Sequence, residues 1–158
     1  MIKKIYFLFL KYIKPVKYMK KKGAKIGKNF VIHPPFKLTE GDLIEIGDNC
    51  NFSSNISFFT HDGSNIVTEN LGISKKGWRK YGKITIGNNV FAGGSVIFLP
   101  GVTIGNNVII GAGSVVTKSF PSNVVIAGNP AKIINTLDNF IKKNVSTFIS
   151  PDDYKKLI

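Results

Sequence analysis

Six consecutive units of six residues, spanning residues 86–121, constrain this chain more than any other feature. Each unit opens on an apolar residue: Ile86, Ala92, Phe98, Ile104, Ile110 and Val116. The fifth position is Val90, Val96, Val102 and Val108 in the first four units, then Ser114 and Phe120. Gly, Asn and Pro fill the places between, as in Ile86-Gly87-Asn88-Asn89-Val90-Phe91. A period of six matches neither the roughly 3.6-residue period of a helix nor the plain alternation of a half-buried strand. It matches a short strand whose first and fifth residues turn inward, followed by a corner of residues that tolerate a sharp bend. Three such strands close a triangular turn of about 18 residues, and turns stack at about the 4.8 Å spacing of paired strands. Each turn buries its faces only by lying on its neighbours, which predicts an all-β domain wound as a parallel β-helix.

The frame extends upstream. Ile26-Gly27-Lys28-Asn29-Phe30-Val31 is a regular unit, and Ile32 and Leu38 keep the step. Pro34, Pro35, Thr39 and Glu40 make the next stretch irregular, and the frame slips by two residues from Ile44 to Ile46. Ile46-Gly47-Asp48-Asn49-Cys50-Asn51 and the unit from Phe52 restore it. Between Asp62 and Lys83 the period is lost, so the coil is expected over residues 24–134 with a loop excursion at 63–83. Residues 1–23 form a helical segment, with Ile5, Leu8, Phe9, Tyr12 and Ile13 on one face and a break at Pro15. A second short helix over residues 16–22 ends at Gly23. Residues 135–158 form the other helical segment. Ile133, Ile134, Leu137, Phe140 and Ile141 have helical spacing and are expected to fold back as a lid over the coil end. Ser150-Pro151-Asp152-Asp153 reads as an N-cap, a proline and two acids opening a helix over residues 151–157.

A chain of 158 residues holds one domain. The formal net charge is +13, unevenly spread. Eleven lysines precede Glu40, the first acid; no acid occurs between Glu69 and Asp138, where seven Lys and Arg lie. The acid-free second half suggests an anionic ligand, and the basic N-terminus a solvated face or an anionic surface. No nucleic-acid-binding motif is present and the coil offers no groove-entering helix, which argues against nucleic acid. Cys50, the single cysteine, sits at an inward fifth position and gives neither a disulfide nor a metal spacing. The apolar run of residues 5–10 is too short for a signal peptide, and no span of about 20 apolar residues occurs. The cytoplasm is the expected compartment, with the first helix either capping the coil, meeting another subunit or lying on the inner membrane face.

The repeats, with Gly111-Ala112-Gly113-Ser114-Val115-Val116-Thr117-Lys118 and Gly128-Asn129-Pro130-Ala131-Lys132, resemble the hexapeptide-repeat acyltransferases. Thr60-His61-Asp62-Gly63 after an Ile-Gly-Asp-Asn coil is similar to the branch that acetylates capsule and other surface polysaccharides. The resemblance covers about residues 24–134. It implies a left-handed coil, a homotrimer with active sites between subunits, acetyl-CoA as donor, a glycan or glycolipid acceptor and no required metal. Handedness comes from the resemblance alone, because the general crossover preference is right-handed.

Acetyl transfer to a hydroxyl needs a base, donors for the developing oxyanion, and two substrates held together. The chain has two histidines, and a neutral imidazole, with a reference pKa of about 6.5, suits the base role. His61 lies where regular coil gives way to loop and matches the family's catalytic histidine, so it is expected to be the base. Asp62 is the nearby acid that could orient an imidazole, although adjacent side chains on extended backbone point apart. Gly93-Gly94 removes two successive side chains. That suits either a tight corner or a thioester lying against the backbone, and the resemblance makes the Gly94 amide the oxyanion donor. The resemblance also assigns Ala112, Gly113, Thr117 and Lys118 to the pantetheine and phosphates, and Lys132 to a phosphate at the adenosine end. His33 stands where related galactoside and maltose acetyltransferases carry an acceptor-binding Asn, which argues against their small-sugar acceptor. It binds the acceptor or is structural beside Pro34-Pro35. Asn51 and Asn55 are further acceptor candidates, and Trp78 stacks on a ring or packs the excursion. The competing readings are a same-family enzyme for a xenobiotic, amino-sugar or amino-acid acceptor, a zinc hydratase on the same coil, and a non-enzymatic scaffold. A zinc site needs three histidine ligands, which the spacing does not offer.

Overall fold

The computed structural model describes residues 2–156, apart from the side chains of residues 2–5, 7 and 8. Two helices open the chain, α1 (Ile2–Ile13) and α2 (Pro15–Lys21). The first turn of the coil follows as β1 (Lys25–Ile26), β2 (Val31–Ile32) and β3 (Phe36–Leu38). The second is β4 (Ile44–Ile46), β5 (Asn51–Phe52) and β6 (Ile56–Phe58). The chain then leaves through β7 (His61–Asp62), α3 (Asn65–Asn70) and β8 (Lys80–Tyr81), in which β7 and β8 pair antiparallel. The excursion is thus a hairpin carrying a helix, more ordered than a plain loop. The third turn is β9 (Ile84–Ile86), β10 (Val90–Ala92) and β11 (Ile97–Phe98). The fourth is β12 (Thr103–Ile104), β13 (Val108–Ile110) and β14 (Val115–Val116), followed by β15 (Val124–Ala127).

The strands stack into three faces. Face A runs β1-β4-β9-β12, face B β2-β5-β10-β13-β15, and face C β3-β6-β11-β14, all in parallel register. The two inward positions of each unit are buried as their period requires: Ile86, Ala92, Phe98, Ile104, Ile110 and Val116 at the first, Val90, Val96, Val102, Val108, Ser114 and Phe120 at the fifth. The rings of Phe52, Phe58 and Phe98 stack on one another inside the coil, Phe58 and Phe98 with centroids 5.4 Å apart. Cys50 is buried, its thiol bonded to the Gly87 carbonyl and its pKa pushed up by desolvation. It is core, not nucleophile.

The corner between faces A and B repeats from turn to turn. Asn29, Asn49, Asn89, Asn107 and Asn123 all take positive φ, and Asn89 donates to Asn107 and Asn107 to Asn123 at 2.9 Å. A Cβ on Gly105 would fall 2.5 Å from the Ser122 backbone N, so these corners stack only if glycine precedes the polar pair.

The two ends of the coil are closed differently. Met19 of α2 is fully buried and packs into the core, and Tyr18 meets Phe36 edge-on at 5.9 Å. At the other end β16 (Lys132–Thr136) pairs antiparallel with β15, and α4 (Leu137–Asn144) follows. Ile133 and Ile134 are therefore strand residues, contrary to their helical spacing, and with Ile141 they remain about half exposed. The free hydrogen-bonding edge of β15 takes precedence over side-chain period, because an unpaired edge leaves backbone groups unsatisfied. A short helix, α5 (Pro151–Lys155), is N-capped by Ser150. The expected last turn of that helix, at Leu157, lies outside the described residues. None of the described helices is long and apolar enough to cross a membrane.

Candidate active site

His61 lies on the edge where face C turns to face A, one turn above Glu40, which occupies the same edge of the first turn. Both oxygens of the Glu40 carboxylate are within 3.0 Å of His61 Nδ1. Glu40 also accepts from the hydroxyl of Thr60, which is fully buried, and the hydroxyls of Thr39 and Thr60 lie 2.6 Å apart. Desolvation alone would raise the Glu40 pKa. The bonds from Thr60, His61, its own backbone and Thr39 together overcome this, and the carboxyl sits at about 2. An ionised carboxylate only accepts, so Nδ1 of the neutral ring must carry the proton and Nε2 the lone pair. Nε2 has no protein hydrogen-bond partner among the described residues.

That nitrogen belongs to a side chain lining an open cleft of about 390 Å³, with Phe59, Asp62, Gly63, Leu99 and Pro100. Tyr81, across the hairpin, places its ring 5.7 Å from the imidazole and walls the ring on that side. Asp62 turns away: it accepts from the Ser64 backbone N–H at 2.8 Å, which holds its carboxyl below the usual range. The orienting role considered for Asp62 is filled by Glu40 in this geometry. Glu40 escaped sequence reasoning because its corner is irregular. The one available signal was its place as the first acid after 39 residues, about one turn before a histidine.

Gly93 and Gly94 lie on a different edge, where face B turns to face C. A Cβ on Gly93 would sit 2.6 Å from the Ala112 backbone N, so stacking alone demands glycine there. A Cβ on Gly94 would meet nothing closer than the Ser54 carbonyl at 3.6 Å, and its φ is not in the left-handed region. The fold therefore gives no reason for glycine at 94. Its carbonyl accepts from Gly113 N, while its own N–H has no partner among the described residues. Ala112 and Gly113 stand on the same edge one turn higher, Gly113 at φ +72°. Thr117 and Lys118 stand two turns above His61 on its own edge, and Lys132 begins β16.

The acceptor candidates divide. His33 is exposed on the B-to-C edge in the first turn, below Gly94. Asn55 lies between them, but its amide donates to Ser95 Oγ at 3.0 Å and its φ is +64°, so it serves the corner. Asn51 faces outward from face B, lining a separate hollow with Phe91 and Leu137. Trp78 is exposed in the excursion with Lys75 Nζ 5.7 Å from its ring. Face C separates the two edges: about five residues at about 3.3 Å each, roughly 16 Å. Reacting groups must approach to about 3–3.5 Å. One chain cannot bring its own His61 and its own Gly94 to the same atom.

Residues 83–118 match the bacterial transferase hexapeptide (six repeats) family. The chain is 39% identical to galactoside O-acetyltransferase of Escherichia coli (strain K12) over 137 residues, 77% of this chain and 68% of that protein. It belongs to the hexapeptide-repeat acetyltransferases. Protein CapG of Staphylococcus aureus is likewise 39% identical, over 131 residues, 79% of this chain and 73% of that one. Among solved structures, a galactoside acetyltransferase in complex with coenzyme A superposes with a TM-score of 0.63 at 28% identity, covering 80% or more of both chains (89% of this one, 82% of that one). The coil is the left-handed parallel β-helix of this family. The chain spans between 57% and 73% of the length of the curated relatives it matches.

Proposed function

We propose that this hexapeptide-repeat acetyltransferase moves acetyl from acetyl-CoA to a hydroxyl of a surface polysaccharide or its precursor, as a homotrimer with each reaction centre between two subunits. The carrying observation is the His61 ring, which lines the cleft, is pinned through Nδ1 by Glu40 and has no protein partner at Nε2 among the described residues. Nε2 accepts the acceptor's proton as its oxygen attacks the thioester carbonyl. The new C–O bond forms, the oxyanion collapses, the C–S bond breaks, and the proton passes from the imidazolium to the departing thiolate. Glu40 stabilises the imidazolium while it lasts, as an orienting carboxylate does in other histidine-based sites.

The Gly94 amide of a neighbouring subunit donates to the oxyanion, and the absence of a side chain lets the thioester lie flat against it. Ala112 and Gly113 continue that small-residue path, with Thr117, Lys118 and Lys132 toward the phosphates, in a part of the chain free of acids. The galactoside O-acetyltransferase relative and the coenzyme A complex support the donor and the sugar-hydroxyl class. His33 and Trp78, both exposed, are the residues we assign to contacts with an acceptor larger than a single sugar. Free-thiol release from acetyl-CoA, measured against hydroxyl and amine acceptors, tests the reading. Turnover with glycan hydroxyls is expected, and turnover confined to amines would overturn it.

A further inference from the structure

The coil has a direction. Donor-side residues 112–118 and 132 lie in the fourth turn and beyond, His61 in the second turn, and His33 in the first, against the end closed by α1 and α2. His61 is therefore about two stacked turns, roughly 10 Å, from the helical end.

That end has an unusual surface. Leu10 of α1 is buried and Lys11 lies over the Phe36 ring at 5.2 Å, so this side of α1 meets the coil. The side away from Lys11 carries Phe9, Tyr12 and Ile13, with Phe9 61% and Ile13 59% exposed, while Tyr6 is held by Lys21 of α2, whose Nζ donates to its hydroxyl. A helix that turns aromatic and aliphatic residues away from its own domain is built to meet something else. Around it Lys14, Lys17, Lys20 and Lys21 are exposed, and no acid occurs before Glu40. Of the nearest carboxylates, Glu40 is held by His61 and Glu45 by Lys83; Asp42 lies beside Gly23. Apolar residues beside lysines that form no ion pair among the described residues complement a lipid surface bearing anionic headgroups, where aromatic rings settle at the boundary and lysines reach the phosphates.

We propose that α1 and α2 dock this end of the coil on an anionic membrane, so that the acceptor side of His61 faces a membrane-tethered glycan. The docking surface stands by itself; the identity of the acceptor rests on the function proposed above. Co-sedimentation of the full chain with phosphatidylcholine–phosphatidylglycerol vesicles tests the docking without substrate. Binding is expected to these vesicles but not to phosphatidylcholine alone, with release in high salt. Phe9→Glu with Ile13→Glu should abolish it, and each of Lys17→Gln and Lys20→Gln should weaken it about fivefold. Coenzyme A binding by these variants shows that the coil is intact. Failure to bind anionic vesicles overturns the proposal. So does a Phe9→Glu/Ile13→Glu variant that changes oligomeric state in a protein indifferent to lipid, because the face is then a contact with a second copy.

The acceptor half is read by thiol release with one glycan either anchored in such vesicles or free. The anchored form should react at least about tenfold faster, through raised effective concentration, and lose that advantage in the Phe9→Glu/Ile13→Glu variant. Equal rates overturn the acceptor assignment and leave the His61 chemistry standing. Acetylation of neither form overturns the proposed function and leaves vesicle binding standing.

Discussion

The corner column joining faces A and B and the column joining faces C and A follow the same chain path, yet their chemistry differs. In the first, every turn spends its polar atoms on the next: Asp48 N on Asn88, Asn88 N on Asn106, Asn106 N on Ser122, with asparagine side chains laddered alongside. In the second, successive turns hold Glu40, His61, Pro100 and Lys118, no two alike, and His61 keeps a ring nitrogen unspent. Stacking asks for repetition, because each turn presents the same backbone to its neighbour. Side chains that change from turn to turn are doing something other than stacking.

Breaking the irregular column should cost activity and spare the fold. His61→Ala is expected to lower kcat/KM by about 10²- to 10⁴-fold, with coenzyme A affinity and thermal midpoint unchanged. Breaking the regular column should do the reverse. Gly105→Ala sets a Cβ against the Ser122 backbone and is expected to cost about 3 kcal/mol in denaturant unfolding, with normal activity per folded molecule.

Gly93 and Gly94 sharpen the contrast within one corner. Gly93→Ala should destabilise by roughly 1–3 kcal/mol through its clash with Ala112. Gly94→Ala should leave stability within about 0.5 kcal/mol and cut turnover at least about tenfold, since only a substrate would notice the methyl. Equal effects at both positions would mean that Gly94 serves only the coil.

A modest effect on stability concerns Glu40. Its folded pKa of about 2 lies below the reference value of 4.5. Its ionised form therefore favours the native state above the unfolded pKa, and this contribution is lost as pH falls through the folded pKa. Glu40→Gln should flatten the decline of stability between those two values. The change will be modest, because the carboxylate is 34% exposed and solvent screens it. The same variant should reduce turnover about 10- to 10²-fold by loosening the ring. Unaltered turnover would show that Glu40 does not position His61.

Much of the regular column was legible in the sequence because period alone tells which side chains turn inward. The inward residues of residues 86–121 follow it without exception. Ile133 and Ile134 misled, because helical spacing says nothing about an open strand edge nearby, and β15 needed a partner. Asp62 bonds Ser64 and not His61, in keeping with adjacent side chains pointing apart on extended backbone. Glu40 could not be assigned because its meeting with His61 depends on how two irregular corners stack, and neither corner obeys the period. The separation of His61 from Gly94 onto different edges follows once residues are assigned to faces.

That separation admits a direct measurement. Two inactive variants, His61→Ala and Gly94→Val, are assembled together into mixed oligomers in equal amounts and assayed by thiol release. If each centre takes His61 from one chain and Gly94 from the next, about one site in three of each mixed trimer is whole, which is about a quarter of all sites after random assembly, and activity returns to roughly that quarter of wild type. Activity no greater than that of the two variants assayed apart would contradict the shared site.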